Sequence, residues 1–485
     1  MECLAEMKKR PKFIDAIEKF QLSGAYPVFF AILCTISGLG NKYVYLPIIS
    51  ILALAILFSV LFVRDNKVFI TPIFMIYYSM GTDNAQAFAT SNGDVLAAFD
   101  SDGFAGICIL AAIITIPFIV RLIADGSFAI AFKKRSFLSY GLLALDISIL
   151  LGGAFSDRWT FESFIYSLII IAGLNLFYII LSSIIQRSDS KIIPYACQIF
   201  VFACLIISAQ VIVTAIKAHS AGDLIYYEAS MDRWLIQRLN FFFSWGIPTI
   251  VGAITSLGIP AALYLAKNKR FPLFYHACAI LFFAISIIVN TRSALIVGGL
   301  FWIVGVVIII FVGKNKKFNL FFLLSLLSVF LGGVLLFACI QGKEVLIEFF
   351  WEFGKTLRFD LISDRVLLYQ KGIDDFFISP IFGVGFAKGV SHSGNISNNF
   401  FSNMYHCLVI QMGVSAGIAG LIALIIHVKD IFILGIKKFS IDRLFILSVP
   451  IMILCMSMVD NFFFYLNFQI PYVAFLILAQ KHMEK

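Results

Sequence analysis

Ser293-Ala-Leu-Ile-Val-Gly-Gly-Leu-Phe-Trp-Ile-Val-Gly-Val-Val-Ile-Ile-Ile-Phe-Val-Gly313 contains no charged residue. At about 1.5 Å per residue, a helix over this run crosses the ~30 Å hydrocarbon core of a bilayer. It is apolar on every side, whereas a helix at the surface of a water-soluble core keeps one polar face. Polar Asn290-Thr-Arg292 precedes it, and Lys314, Lys316 and Lys317 follow. The stretch reads as a membrane span, and the pattern recurs along the chain.

Working outward in both directions, apolar runs predict helices near 24–40, 43–63, 68–80, 104–124, 137–154, 161–186, 193–217, 240–266, 271–289, 293–313, 318–340, 406–428, 443–461 and 465–480. The expectation is an all-α, polytopic integral membrane protein of about fourteen transmembrane helices. Composition agrees: of 485 residues, 61% are hydrophobic and 13% charged, and the mean hydropathy is +0.96. No water-soluble domain of this length has that balance. The segments are a cytoplasmic amphipathic arm (1–23), an N-terminal transmembrane bundle (24–217), an outer loop (218–239), a central bundle (240–340), a large outer loop (341–405) and C-terminal transmembrane helices (406–485). In the arm, Phe13, Ile14, Ile17 and Phe20 share one helical face behind Lys8, Lys9, Arg10 and Lys12, the pattern of an interfacial helix.

Charge orients the spans. With the N-terminus inside, each short inner loop is basic, and the inner segments hold most of the 37 Lys and Arg residues. The outer loop 81–103 carries Asp83, Asp94, Asp100 and Asp102 and no basic residue. The net charge of +9 therefore reflects membrane topology and does not call for nucleic acid. The nine cysteines lie mostly inside apolar runs (Cys34, Cys108, Cys197, Cys204, Cys278, Cys339, Cys455) and read as small buried hydrophobes. No C-x-x-C or His/Cys cluster has metal-ligand spacing, so no metal and no cofactor is expected.

Chemistry is expected where the chain stops being apolar. Arg233, Arg238, Arg292, Arg358 and Arg365 lie outside, against the positive-inside trend, and guanidinium forks suit phosphate. The alternative for Arg292 is a side chain snorkelling to the headgroups, and for Arg233 and Arg238 a solvated surface. Arg358 and Arg365 share a face if 345–371 is one amphipathic helix carrying Phe349, Phe350, Trp351, Phe353, Leu357 and Leu361. His406, where the large loop returns to the membrane, is either a general base or a structural histidine. The Gly383-Val-Gly385 stretch lacks Walker A spacing and reads as a turn after Ser379-Pro380. Asp146 lies mid-helix and is either functional or bonded to a neighbouring helix. Asp460 is expected at the outer surface.

The region from about Asn290 to Ile425 resembles the O-antigen ligase and Wzy-type O-antigen polymerase superfamily of bacterial membrane glycosyltransferases. The ligases carry a histidine, then Asn, Ser or Gln, nine residues, Gly, two residues and Gly. His406-Cys407, nine residues and Gly417-Ile-Ala-Gly420 keep that spacing, with Cys407 the departure. Thr291-Arg292-Ser293 and the run from Asp364-Arg365 through Ser379-Pro-Ile-Phe-Gly-Val-Gly385 resemble two further family elements. The resemblance implies a GT-C-like, metal-independent, inverting enzyme in the bacterial cytoplasmic (inner) membrane, acting on its extracytoplasmic face. It implies an undecaprenyl-diphosphate-linked oligosaccharide as donor, with membrane lipids, a chain-length regulator and a flippase as partners. His406, Arg292 and Arg365 would be catalytic, and Arg292, Arg365, Arg233 and Arg238 would bind the diphosphate. The first outer turn, Asn41-Lys42, has no acidic pair for a metal, so arginines would carry that charge. Polymerase is the first expectation, ligase the alternative and flippase or transporter the third.

Overall fold

The computed structural model describes residues 11–39, 42–79, 114–129, 139–189, 191–220, 225–228, 233–236, 248–268, 271–289, 291–312, 363–386 and 405–483, with isolated helical positions between 320 and 347. In order, the helices are α1 (Lys12–Gln21), α2 (Ala25–Leu39), α3 (Lys42–Phe62), α4 (Ile70–Ser79), α5 (Ile114–Ala124), α6 (Ser139–Leu151), α7 (Phe161–Ile185) and α8 (Ile192–Ser220). They continue as α9 (Pro248–Asn268), α10 (Pro272–Ile288), α11 (Arg292–Val312), α12 (Ser363–Ile378), α13 (Leu408–Ile436), α14 (Ile441–Ser457) and α15 (Leu466–Met483). Five are long and apolar enough to cross a membrane, or six if the bent α1–α2 pair is one span. The protein is a helical membrane protein. Apolar sequence forces this choice, because in hydrocarbon every backbone N–H and C=O must find an internal partner.

Hydroxyl side chains obey the same constraint. Thr35, Ser59, Ser167, Ser208, Thr255, Ser286 and Ser457 each donate to the carbonyl one turn back in their own helix. Helix α9 is buried along almost its whole length, packed by α8, α10, α11 and α14. Small residues let these neighbours approach: Gly258 faces the ring of Phe282, and Gly298 faces Ser256. Asp146 accepts from Asn175 Nδ2 at 2.9 Å, so it does bond a neighbouring helix, α7.

The two ends of the bundle differ. At one end basic side chains are tied into the frame: Arg121 donates to Ser59 O and Val60 O, Arg187 pairs with Asp125, Lys267 with Asp442, and Lys481 Nζ donates to Gln186 O. At the other end α6, α10 and α14 finish and α7, α11, α13 and α15 begin, and Arg158, Arg292 and Arg365 lie there or on the adjoining α12. Helix α1 lies at 73° to α2, with Phe13 and Phe20 exposed.

Several expectations are corrected. An antiparallel hairpin interrupts the all-α reading: Ile225–Glu228 pairs with Arg233–Ile236, Ile225 opposite Ile236 and Glu228 opposite Arg233. Its aromatic and β-branched residues favour a strand once the run is too short and polar to span. Helix α8 extends to Ser220, shortening the loop expected from 218. Helix α13 runs to Ile436, past the expected end at 428, and His427 there bonds Tyr472 OH at 2.6 Å, so its polar residues are kept inside the bundle. Helix α12 continues past Lys371 to Ile378, because Gly372 packs tightly on Tyr405 and Ile410. Cys34, Cys197, Cys204 and Cys278 are buried but Cys455 is exposed. The expected span 318–340, the helix over 345–362, and Cys108 and Cys339 lie outside the described residues, apart from the isolated helical positions.

Candidate active site

His406 stands two residues ahead of α13 with φ +50, a left-handed backbone that side-chain-bearing residues seldom adopt. Such a conformation costs about 1–3 kcal/mol and persists only where neighbours fix it. Three neighbours do so. The backbone N–H of Tyr405 donates to Gln411 Oε1 at 3.2 Å, the hydroxyl of Tyr369 donates to the His406 carbonyl at 3.4 Å, and the ring Nδ1 lies 3.0 Å from Asp460 Oδ1. Asp460 is buried. It follows α14 in the turn to the short 3-10 helix Phe462–Phe464, and its Oδ1 also accepts from the N–H of Asn461 at 2.9 Å. A carboxylate facing Nδ1 favours the tautomer whose proton sits there, in which Nε2 carries the lone pair. The His406 side chain is 32% exposed and Asp460 only 10%, so the carboxylate is covered while the ring is partly open.

Arg365 joins this group. It lies one turn before Tyr369 on α12, near enough that its charge, like that of Asp460, acts on the Tyr369 hydroxyl. Burial pushes the Tyr369 phenol above its ordinary range despite the opposing pull of Arg365, so it stays a neutral donor to His406. Among the described residues no carboxylate is within ion-pair distance of Arg365 or Arg292. Arg158, in contrast, is spent on Asp375, with Nη1 to Oδ1 at 2.9 Å.

Arg292 is the first residue of α11 and is exposed. Ser256 fixes its level: this residue lies against Gly298 of α11, and its Oγ is 3.8 Å from Met456 Sδ of α14. Arg292 is about 9 Å beyond that level along α11, and Asp460 lies beyond it on the same side. Both thus belong to the His406 end. Among the described residues no hydrogen bond or ion pair joins Arg292 to the His406 cluster. Arg233 opens the second strand of the hairpin, where only backbone is placed, and Arg238 and Arg358 lie outside the described residues. The structure therefore brings together His406 and Arg365 of the five site residues and sets Arg292 at the same end.

The glycine-rich stretch has a mechanical role. Helix α13 breaks at Gly417, with φ 64 and ψ −157. The break frees two carbonyls and two amides, and Ser379–Phe386 docks on all four. Val384 N–H and Gly385 N–H donate to Val414 O and Ser415 O at 2.8 and 3.0 Å, while Ile418 N–H and Ala419 N–H donate to Pro380 O and Ile381 O at 2.8 and 3.2 Å. A Cβ on Gly417 would strike the Ile381 carbonyl, and one on Gly383 would strike the backbone of Ser415. The turn read after Ser379-Pro380 is present, and it stitches a broken membrane helix; its amides are used internally.

Tyr369, Tyr405, Asp375 and Gln411 escaped the sequence reading, and Asp460 reads in the sequence only as an acid at the outer surface. Only Asp460-Asn461, a polar pair between two apolar runs, carried a local signal. The others are polar residues in ordinary positions, joined by contacts across 30 or more positions, such as Tyr405 OH to Asp375 Oδ2 at 2.6 Å. No family model matches this chain, and no curated protein is significantly similar to it.

Proposed function

We propose that this chain is a membrane glycosyltransferase that polymerises surface polysaccharide repeat units, O-antigen or capsule, carried on undecaprenyl diphosphate. The observation that carries the reading is the grouping of His406, Asp460, Tyr369 and Arg365 at one end of the bundle, with the His406 side chain partly exposed and, among the described residues, no carboxylate paired with Arg365. That end is poor in basic residues, which supports placing it on the extracytoplasmic face of the bacterial cytoplasmic membrane. The full frame would be GT-C-like with about fourteen crossings.

In the reaction, an acceptor sugar hydroxyl lies against His406 Nε2. The ring takes the hydroxyl proton as that oxygen bonds the anomeric carbon from the side opposite the diphosphate, so the configuration inverts. The bond from the anomeric carbon to the diphosphate oxygen breaks, and its electron pair leaves on undecaprenyl diphosphate. Arg365 and Arg292 stabilise the departing charge, with Arg233 or Arg238 assisting. Asp460 holds the ring and stabilises the imidazolium. Charge is handled by side chains throughout, in keeping with a metal-independent enzyme.

The acceptor separates polymerase from ligase. A second lipid-linked repeat makes this a polymerase, working with a chain-length regulator and a flippase; a lipid A core or other anchor makes it a ligase. Cys407, where ligases carry Asn, Ser or Gln, favours polymerase. A transporter would be expected to line its core with ionisable residues and to show repeated halves. The test is a deletion strain: single repeats on the final carrier support the polymerase, and long lipid-linked chains beside an unmodified carrier move the assignment to ligase. Unchanged polysaccharide removes both.

A further inference from the structure

Asp375 on α12 is buried, and both its oxygens are engaged. Oδ1 accepts from Arg158 Nη1 at 2.9 Å, across 217 positions, and Oδ2 accepts from the Tyr405 hydroxyl at 2.6 Å. Arg158 comes from the turn between α6 and α7. Tyr405 is 2% exposed and held at three points: its hydroxyl by Asp375, its ring against Gly372, and its N–H by Gln411 Oε1. Gln411 in turn accepts from Asn461 Nδ2 at 3.3 Å and donates to Ser415 Oγ at 2.9 Å. The residue after this clamped tyrosine is His406, with its left-handed backbone. Helix α12 therefore grips two consecutive residues, Tyr405 through Asp375 and His406 through Tyr369.

We infer that Asp375 and Tyr405 are positioning residues that hold the His406 ring against Asp460, with Arg158 anchoring the clamp to the α6–α7 turn. This rests on the proposed glycosyl transfer for its catalytic meaning, though not for its geometry. A fully occupied buried carboxylate is an expensive way to secure a loop unless the orientation it fixes matters. Burial, and then the neighbouring carboxylate, push the Tyr405 phenol up, so it remains a donor and the clamp persists across the neutral range. A base displaced by about 1 Å loses up to ~100-fold in rate, which sets the scale of the effect.

The experiment uses the full-length protein in lipid, labelled with ¹⁵N-histidine, as wild type, Tyr405→Phe, Asp375→Asn and Asp460→Asn. His406→Ala assigns the His406 signals. Tyr405→Phe leaves the Arg158–Asp375 ion pair intact, so it keeps the test open if Asp375→Asn folds poorly. In wild type the ring should carry its proton on Nδ1 alone; in the clamp variants it should show mixed tautomers, as in Asp460→Asn. Turnover with a lipid-linked donor should fall roughly 10- to 100-fold in Tyr405→Phe with KM little changed. Combining Tyr405→Phe with Asp460→Asn should lose less than the product of the two, because both act through one ring. An unchanged tautomer in Tyr405→Phe overturns the inference, whatever turnover does. Mixed tautomers in Tyr405→Phe with normal turnover in His406→Ala uphold the clamp and remove His406 as the base; mixed tautomers with no turnover in wild type uphold the clamp and remove the glycosyl-transfer reading instead.

Discussion

His406 is held at φ +50 by groups from α12, α13 and the turn after α14, and its ring meets a buried carboxylate. That arrangement sets expectations for single substitutions. General-base help is worth about 10²–10⁴-fold, so His406→Ala should lose that much turnover while still inserting and binding donor. Equal loss of donor binding and turnover would mean that His406 only shapes the loop. Asp460→Asn should retain the fold and lose much of the rate, because an amide can donate to Nδ1 as well as accept from it and so mixes the tautomers. Arg365→Lys keeps the charge but removes the planar fork, so it should already impair turnover; full activity would exclude Arg365 from the diphosphate site.

Among the elements, the stitched break in α13 carries the most structural consequence. Gly417→Ala puts a Cβ into the Ile381 carbonyl on a left-handed backbone, which should cost at least about 2 kcal/mol and free Ser379–Phe386. A lowered melting temperature in detergent, with faster proteolysis between 379 and 386, is the expected result; a wild-type melting curve would show that the break is not strained. At the opposite end, burial alone would push the Asp125 carboxyl up. Hydrogen bonds from Ser127 and Asn66, together with Arg187, outweigh it and hold the carboxyl below its ordinary range. A depressed acid stabilises the fold above its unfolded pKa of about 4, and that contribution is lost as the pH falls through the folded value. The stability gap between wild type and Asp125→Asn should thus be widest near neutrality and close in acid; a gap independent of pH would assign the effect to packing.

For the whole molecule, the prediction is topology. Basic residues tied into one end and sparse at the other imply that reporters fused after Lys67 and Lys317 lie in the cytoplasm and one near Gly394 lies outside. An outside signal at Lys317 would invert the C-terminal half and put His406 on the wrong face for a lipid-linked donor.

Span-length apolar runs and the alternation of basic loops are one-dimensional properties, because the bilayer acts on each segment separately. The sequence therefore determined by itself the helical membrane class and the positions of the described spans. The hairpin at Ile225–Ile236 was missed because a short aromatic run has no period long enough to tell strand from loop. Tertiary structure alone decided that Asp460 faces His406 across 54 positions, that Arg158 is neutralised by Asp375 while Arg365 meets no carboxylate among the described residues, and that Gly383-Val-Gly385 fills a gap in α13. These facts depend on which helices pack together, and in a chain apolar on nearly every face the pattern of hydrophobicity no longer records which side meets protein and which meets lipid.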